Sequence, residues 1–204
     1  MQIELHNLGK RYNREWIFRG ITFIFEKGEK YAITGNNGSG KSTLLQIICG
    51  AIMHSEGEIK YYSKKNNLIL HKKPYEQISV AAPYLELIEE MTASEFLRFH
   101  SVFKKTIRKS DEILEYAGLK NAADKQIRYF SSGMKQRLKL AQAFFSHTEV
   151  ILLDEPTTNL DEEGIQLYKS LVKNHTEDRV FIVSSNDPHE YDFCNEIIQI
   201  SQFK

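Results

Sequence analysis

The fold of this chain is decided by the stretch Gly35-Asn36-Asn37-Gly38-Ser39-Gly40-Lys41-Ser42, which fits the pattern G-x-x-x-x-G-K-[ST]. Residues 31–34 before it predict a short buried strand, and residues 42–48 after it predict a helix that ends near Gly50. Glycines let the backbone wrap closely round a phosphate, and a helix N-terminus adds N–H groups and the positive end of its dipole. The strand and the helix disfavour the alternative, a glycine-rich turn without a ligand. We therefore predict a phosphate-binding loop in which Lys41 reaches the β- and γ-phosphates, Ser42 ligates Mg²⁺ and Thr43 touches the α- or β-phosphate.

Composition gives an ordinary profile for one domain. The chain has 204 residues, with 27 lysines and arginines against 27 aspartates and glutamates, so its formal net charge is zero. This balance argues against bulk electrostatic binding to nucleic acid or anionic lipid, although a local charged patch remains possible. No apolar run approaches the length of about 18 residues that spans a bilayer, and the N-terminus lacks the pattern of a signal peptide. Cys49 and Cys194 are expected to be buried thiols in a reduced cytosol.

The periodicity of apolar residues predicts alternating strands and helices. Strands are predicted at residues 3–8, 18–25, 31–34, 58–62, 67–70, 78–82, 150–153, 180–183 and 197–200. Tyr12 and Trp16 are expected between the first two strands, which should pair. Further helices are predicted at about residues 92–103, 110–118, 132–145 and 162–174. This order predicts a parallel sheet with helices on both faces, interrupted by a block of helices.

Two carboxylates, Asp154 and Glu155, follow the apolar run 150–153. Ligands of parallel sheets bind at the carboxyl ends of the strands, so we expect both side chains to lie near the phosphates. Asp154 is expected to hold Mg²⁺, directly or through water, and Glu155 to act as the general base that polarises an attacking water. The alternative is a pair of acids at the start of a surface loop, which the phosphate loop makes less attractive.

Three further stretches join these motifs in order along the chain. They are Tyr129-Phe130-Ser131-Ser132-Gly133-Met134-Lys135-Gln136-Arg137 (the signature segment), Pro156-Thr157-Thr158-Asn159-Leu160-Asp161, and Val183-Ser184-Ser185-Asn186-Asp187. With them, the sequence resembles an ATP-binding cassette (ABC) ATPase over essentially its whole length. The resemblance implies a single domain, residues 1–204, of the α/β class. Its P-loop NTPase core would contain the parallel sheet, with an N-terminal antiparallel β subdomain and an inserted α-helical subdomain at about residues 84–146.

The same resemblance implies ATP as cofactor and a head-to-tail dimer, expected to be a homodimer, that encloses two ATP molecules. Each ATP would lie between the phosphate loop of one subunit and Ser131 and Gly133 of the other, with Asp161 in the loop that links the two sites. The alternative role of Ser131 is an ordinary N-cap of its own helix. The same serine can serve both as this cap and as a contact of the partner's phosphate. The family's aromatic residue that stacks on adenine corresponds to Tyr12, with Trp16 as the alternative.

Two positions depart from the family pattern. A glutamine that contacts Mg²⁺ and the attacking water usually follows the strand at 78–82, but here Ala82 and Pro83 stand there and Gln77 precedes the strand. A histidine that contacts the γ-phosphate is replaced by Asn186, which donates a hydrogen bond but carries no charge. His189 is a weaker candidate for that role. These changes leave Glu155 and the magnesium ligands in place, so we predict ATP binding and a hydrolysis that is slow in the isolated protein.

The resemblance favours the ATP-hydrolysing subunit of an ABC transporter whose membrane domain is a separate chain, held at the inner face of the cell membrane by that partner. In the family, a cleft beside the helical block receives a short helix of the membrane domain. The corresponding residues here are 83–99, with Tyr84, Leu85, Leu87, Ile88 and Met91 as candidate contacts, although packing within the helical block explains them equally well. A soluble ABC ATPase outside transport and a weakly hydrolysing regulatory cassette remain as alternatives. No nucleic acid partner is expected.

Overall fold

The computed structural model describes residues 1–62 and 74–204, and alternating strands and helices run through both parts. The strands are β1 (Gln2–Tyr12), β2 (Glu15–Phe25), β3 (Lys30–Thr34), β4 (Glu56–Tyr62), β5 (Ile78–Ala81), β6 (Val150–Asp154), β7 (Val180–Ser184) and β8 (Glu196–Gln199). The helices are α1 (Lys41–Ile48), α2 (Ala93–Phe103), α3 (Ser110–Tyr116), α4 (Ser132–Phe145) and α5 (Glu162–His175). The predicted elements are confirmed in kind and order. The strand predicted at 67–70 lies outside the described residues.

The larger sheet contains five parallel strands in the order β5-β6-β7-β3-β8. Helices cover both faces, so the strands are apolar throughout rather than alternating, which explains the continuous apolar run in β6. The carboxyl ends of β3, β6 and β7 lie side by side, because Asp154 pairs in register with Ser184 and Ile33 pairs with the same serine. This edge therefore brings together the segments that follow three strands.

Successive residues of the parallel strands face two separate cores. One core packs against α4 and α5, and its sheet residues include Ile151, Leu153, Phe181 and Val183. The other packs against α1 and the smaller sheet, and its sheet residues include Val150, Leu152, Val180 and Ile182. The α/β class with a parallel sheet between helices is thus confirmed.

A smaller antiparallel sheet has the order β2-β1-β4. The predicted pairing of the first two strands is confirmed, but both strands are longer than expected. Tyr12 and Trp16, predicted between them, lie inside β1 and β2 and flank the two-residue turn Asn13-Arg14. Asn13 adopts a left-handed conformation with φ 54°, which an asparagine tolerates better than most residues and which lets the hairpin close in two residues.

Three helices, α2, α3 and α4, lie between β5 and β6. The capping box that opens α2 is confirmed, since the Glu95 N–H donates to Thr92 Oγ1 at 3.2 Å and the Thr92 N–H donates to Glu95 Oε2 at 2.9 Å. No helix in the described ranges is long and apolar enough to cross a membrane. Cys49 and Cys194 were expected to be buried, but both are half-buried. The burial that Cys194 does have raises the pKa of its thiol to about 12.

Candidate active site

The phosphate loop connects β3 to α1 and has the shape of an anion cradle. Gly40 precedes α1 with φ 107°, and a Cβ there would lie 2.5 Å from Ile17 Cγ2, so only glycine lets the loop approach β2 so closely. The first N–H groups of a helix have no intrahelical acceptor, and no side chain of the described residues caps α1, so these groups are left for another acceptor. These N–H groups and the helix dipole favour an anion at this end of the helix.

Lys41 lies at the mouth of this loop. Its side chain is almost fully buried, and Nζ donates to the Gly35 carbonyl oxygen at 2.7 Å. Ser39 Oγ is buried and has no hydrogen-bond partner among the described residues. A cavity of ≈ 240 Å³ is lined by Ile17, Asn37, Gly38, Ser39, Gly40, Lys41, Ser42, Thr43 and Glu155. Backbone N–H groups, the Lys41 ammonium group and the hydroxyl groups of Ser39, Ser42 and Thr43 belong to this lining, and together they fit the oxygens of a phosphate chain.

The two predicted carboxylates lie at the same sheet edge. Asp154 is the buried last residue of β6. Glu155 follows with its N–H bonded to the Ser184 carbonyl oxygen at 2.8 Å, and its side chain lines the phosphate cavity. Its backbone is left-handed, with φ 45°, a conformation that is uncommon outside glycine and asparagine. The hydroxyl of Ser42 and the carboxylate of Asp154 are hard oxygen ligands, so the donor set fits Mg²⁺.

Asn186 also lies beside the phosphate loop. Its Nδ2 donates to Asn37 Oδ1 at 3.0 Å, and its Oδ1 accepts from the Gly35 N–H at 3.3 Å. A second cavity, ≈ 410 Å³, is lined by Asn37, Glu155, Thr157, Thr158, Ser185, Asn186, Asp187 and Glu190. His189 lines neither cavity. The structure therefore brings Asn186, and not His189, to the predicted site.

The signature segment forms a separate cavity of ≈ 560 Å³ with the loop before α5. Its lining includes Ser131, Ser132, Gly133, Asn159 and Asp161. Ser131 Oγ caps α4 by accepting from the Met134 N–H at 3.2 Å. Among the described residues, none lines both this cavity and the phosphate cavity. Within one chain, Ser131, Gly133 and Asp161 are thus brought together with one another but not with Lys41.

Tyr12 and Trp16 differ in their surroundings. Tyr12 is 48% exposed, and its ring carries Lys10 Nζ at 4.8 Å from the centroid. The half-buried Trp16 ring has the guanidinium groups of Arg11 and Arg19 at 5.7 and 4.6 Å. Neither ring lines the phosphate cavity, where the hairpin contributes Ile17 instead. Tyr12 therefore has the more open ring for stacking against a flat partner.

Two residues near this edge were not predicted as site residues. Tyr84 follows β5, the neighbour of β6. The residue is 42% exposed as a whole, but burial around its hydroxyl, with a smaller effect of the Asp154 carboxylate, raises the pKa of that hydroxyl, which also interacts with the Gln46 side chain. Glu190 is buried and accepts hydrogen bonds from the Thr157 N–H at 2.7 Å and from the Thr157 hydroxyl. Burial raises the pKa of this carboxyl above its ordinary value. No local signal marks either residue, since each contact joins segments that are distant in sequence.

Comparisons with known proteins agree with this geometry. A family model described as ABC transporter matches residues 18–158. An uncharacterized ABC transporter ATP-binding protein, YybJ of Bacillus subtilis, is 35% identical over 167 residues, which cover 80% of this chain and 75% of that protein. The linearmycin resistance ATP-binding protein LnrL of the same organism is 31% identical over 213 residues, 98% of this chain and 66% of that protein.

Solved structures show the same fold. An ATP-binding subunit of an ABC transporter superposes with a TM-score of 0.83 at 23% identity, over 98% of this chain and 87% of that one. A bacterial Atm1-family ABC exporter with ATP bound superposes with a TM-score of 0.82 at 18% identity, over 98% of this chain and 37% of that one. At these identities the likeness concerns the fold alone, whereas the family match and the sequence relatives concern descent. The chain is a member of the ABC transporter family and belongs among its ATP-binding subunits.

Proposed function

We propose that this chain binds ATP with Mg²⁺ and hydrolyses it to drive a separately encoded membrane domain. The observation that carries this proposal is the convergence of Lys41, the N-terminus of α1 and Glu155 on one cavity. A phosphate chain in that cavity would meet the N–H, ammonium and hydroxyl donors of the loop together with the Glu155 carboxylate. This is the arrangement that phosphoryl transfer to water needs.

Each residue has a chemical role in this proposal. Ser42 and Asp154 would hold Mg²⁺, which neutralises charge on the phosphate oxygens. The Lys41 ammonium and the loop N–H groups stabilise the charge that develops as the bond between the β-γ bridging oxygen and the γ-phosphorus breaks. Glu155 orients a water molecule and accepts its proton as the water oxygen attacks the γ-phosphorus, which leaves ADP and inorganic phosphate. Asn186 donates a hydrogen bond to a γ-phosphate oxygen once its amide leaves Asn37.

A complete site requires a second subunit. The cavity at the signature segment and the phosphate cavity share no lining residue among the described residues, which supports a site that two subunits form together. We propose a head-to-tail homodimer in which Ser131 and Gly133 of one copy face the γ-phosphate on the other, with Asp161 close to the junction. Tyr12 would stack on adenine. Residues 1–204 would act as one domain with a helical insert at about 84–146.

A groove beside the helical block is the proposed contact for the membrane partner. It measures ≈ 450 Å³ and is lined by Pro83, Leu85, Glu86, Leu87, Glu89, Glu90, Lys135 and Lys139. Of the five candidate contacts, Tyr84, Leu85 and Ile88 are exposed, whereas Leu87 belongs to the core and Met91 packs against it. Leu85 and Leu87 line the groove, and the exposed Tyr84 and Ile88 lie next to them in the chain, which supports docking there, whereas Met91 serves packing. The chain would thereby lie on the cytoplasmic face of the membrane, held by its partner.

Hydrolysis by the isolated chain is proposed to be slow. Ala82 and Pro83 supply no side chain able to position the attacking water, and the Asn186 amide is bonded to Asn37. Contact with the partner at the neighbouring groove would then be the step that completes the site.

The test is ATP hydrolysis by purified variants. Glu155→Gln should lower kcat by about 100-fold or more and retain ATP binding, because the amide orients water but accepts no proton. Lys41→Ala should instead weaken ATP binding. Glu162→Gln, at an exposed acid in the first turn of α5, is the matched control and should behave as wild type. A Glu155→Gln protein that hydrolyses ATP as fast as wild type would exclude the catalytic assignment. Dimers that form with ATP but never turn over would favour a regulatory cassette.

A further inference from the structure

The second half of α2 and the segment that follows it carry an unusual surface. Residues 96–110 contain no aspartate or glutamate, although the whole chain is balanced in charge. Four large apolar side chains and four cations are exposed there: Phe99, Val102, Phe103, Ile107, Arg98, Lys105, Arg108 and Lys109. We call these eight residues the basic apolar patch.

The apolar members of the patch have no role in the described core. Val102 is 79% exposed and Phe103 is 69% exposed, on a helix whose Phe96 and Leu97 are buried. Phe99, Val102 and Phe103 recur at helical spacing, so they share one face of α2. The rings of Phe99 and Phe103 are arranged edge to face, with their centroids 5.1 Å apart. Exposed apolar side chains that adjoin one another on one helix face, unlike single ones, mark an interaction site.

Among the cations of the patch, Lys105 and Lys109 take part in no ion pair within the described ranges. Arg98 Nε donates to the Ser94 carbonyl oxygen at 3.2 Å, and the Arg108 guanidinium lies 3.8 Å from Glu112 and 5.9 Å from the centroid of the Phe145 ring. Lys104 is different, because its Nζ donates to the Ile78 carbonyl oxygen at 2.7 Å. The other nearby acids are Glu95, which caps α2, and Asp111 in the first turn of α3. The patch therefore has a local positive charge.

The patch is held in place by the backbone. The Ile107 N–H donates to the Phe145 carbonyl oxygen at 2.8 Å, and the His147 N–H donates to the Lys105 carbonyl oxygen at 2.7 Å. These bonds fix the segment after α2 against the end of α4, so the cations and the apolar face keep their relative positions without a partner. A surface formed in advance loses less conformational entropy when it binds.

We propose that the basic apolar patch docks on a bilayer that contains anionic lipids. Phe103 and Val102 protrude enough to enter the headgroup region, while Lys105, Arg108 and Lys109 reach lipid phosphates. Aromatic and aliphatic anchors beside lysines and arginines are the composition that binds this boundary. This contact would hold the chain against the membrane independently of a protein partner, and it does not depend on the ATP site.

The test is flotation of the purified full chain with vesicles of phosphatidylcholine alone and with vesicles that also contain phosphatidylglycerol. We expect binding to the anionic vesicles only, and weaker binding at high salt because the charges are exposed. Lys105→Glu/Lys109→Glu should weaken binding by about 30-fold or more, since each cation near an anionic surface contributes roughly a fivefold gain. Val102→Ser/Phe103→Ser should also weaken binding. The factor by which it weakens binding should change little with salt, because this variant keeps all the cations.

Lys169→Glu/Lys173→Glu, on α5, makes the same change of charge elsewhere and should bind like wild type. Thermal unfolding and ATP affinity confirm that every variant is folded. Failure of the wild-type chain to bind anionic vesicles would overturn the proposal, and so would equal loss of binding in the α5 control. If the patch variants lose binding only to vesicles that carry a reconstituted membrane protein, the patch is a protein contact instead.

Discussion

Arg137 Nη2 donates to Asp161 Oδ1 at 2.5 Å, and the same oxygen accepts from the Gly164 N–H at 2.9 Å. The carboxylate thus joins the signature segment on α4 to the N-terminus of α5. Arg137 holds the pKa of Asp161 below its ordinary value, with the cap contributing less. In the proposed dimer, any movement of α4 towards the partner's ATP would therefore pull on the loop that precedes α5.

Two substitutions of Asp161 separate the cap from the ion pair. Asp161→Ala removes both, so we expect a lower melting temperature together with weaker ATP-dependent dimerisation. Asp161→Asn keeps an oxygen for the Gly164 N–H and should retain the native melting temperature while still weakening the dimer. Differential scanning calorimetry and sedimentation with the Glu155→Gln background measure the two effects. If Asp161→Asn and the protein with Asp161 dimerise equally well with ATP, the ion pair between Arg137 and Asp161 makes no contribution to dimerisation.

Tyr84→Phe tests the hydroxyl that lies near Asp154. The hydroxyl interacts electrostatically with the proposed magnesium ligand Asp154 and bonds to the Gln46 side chain, so its loss should lower kcat by about threefold to tenfold and raise the Mg²⁺ concentration required. ATP binding without Mg²⁺ should be unchanged. Tyr75→Phe, at an exposed tyrosine before β5, is the control. If kcat and the Mg²⁺ dependence of Tyr84→Phe match those of wild type, the hydroxyl has no part in the reaction.

The Cβ position at Gly133 lies only 2.9 Å from the Asn159 carbonyl oxygen. Gly133→Ala gains up to about 1 kcal/mol of helix propensity, but it forces a side chain against backbone, which costs about 1–3 kcal/mol. We therefore expect a net loss of unfolding free energy in urea and a weaker ATP-dependent dimer. Ser132→Ala, which adds no volume, should leave the unfolding free energy nearly unchanged. A Gly133→Ala protein more stable than wild type would show that the helix start moves freely.

The burial of His100 leads us to expect a lower free energy of unfolding at acidic pH. Burial, with a smaller effect of Lys104, lowers the pKa of His100 from 6.5 to about 4. Its Nε2 pairs with Ser146 Oγ at 2.9 Å and its Nδ1 with Gln142 Nε2 at 3.1 Å, which suits the neutral ring. Between these pH values the unfolded chain binds the proton more readily, so the contribution is complete above pH 6.5 and is lost as the pH falls towards 4.

The measurement is the urea unfolding free energy as a function of pH. His100→Gln should flatten the decline between pH 6.5 and about 4, the two limits of the shift. His147→Gln, at an exposed histidine, should keep the wild-type slope. Parallel pH curves for His100→Gln and wild type would place the acid sensitivity in other groups.

Local sequence signals were sufficient for the elements that carry the site. The glycines before α1, the apolar run of β6 and the capping box at Thr92 each act through near neighbours, and each prediction is confirmed within about two residues. The proximity of Asn186 to the phosphate loop was implied by the family resemblance, and the adjacency of β3 and β7 accounts for it. The roles of these residues stay predictions.

Contacts between residues that are distant in the chain were not predicted from the sequence. The extension of β1 to Tyr12 depends on pairing with β2 across a tight turn, and its register shifts near Leu8 leave no periodic pattern. Tyr84 interacts with Asp154 because β5 lies beside β6, and Glu190 lines the second cavity because the turn after β7 packs against Thr157. These relationships are set by tertiary packing, which overrides local propensity.

The left-handed backbone at Glu155 has a consequence for engineering. A non-glycine residue in that region stores about 1 kcal/mol or more of strain. Replacing Glu155 by glycine or asparagine would relieve this strain and raise the thermal stability. The resulting protein would lack the proposed general base. Stability screens of this chain should therefore enrich inactive sequences at position 155, and a library that is meant to keep turnover must exclude that position from randomisation.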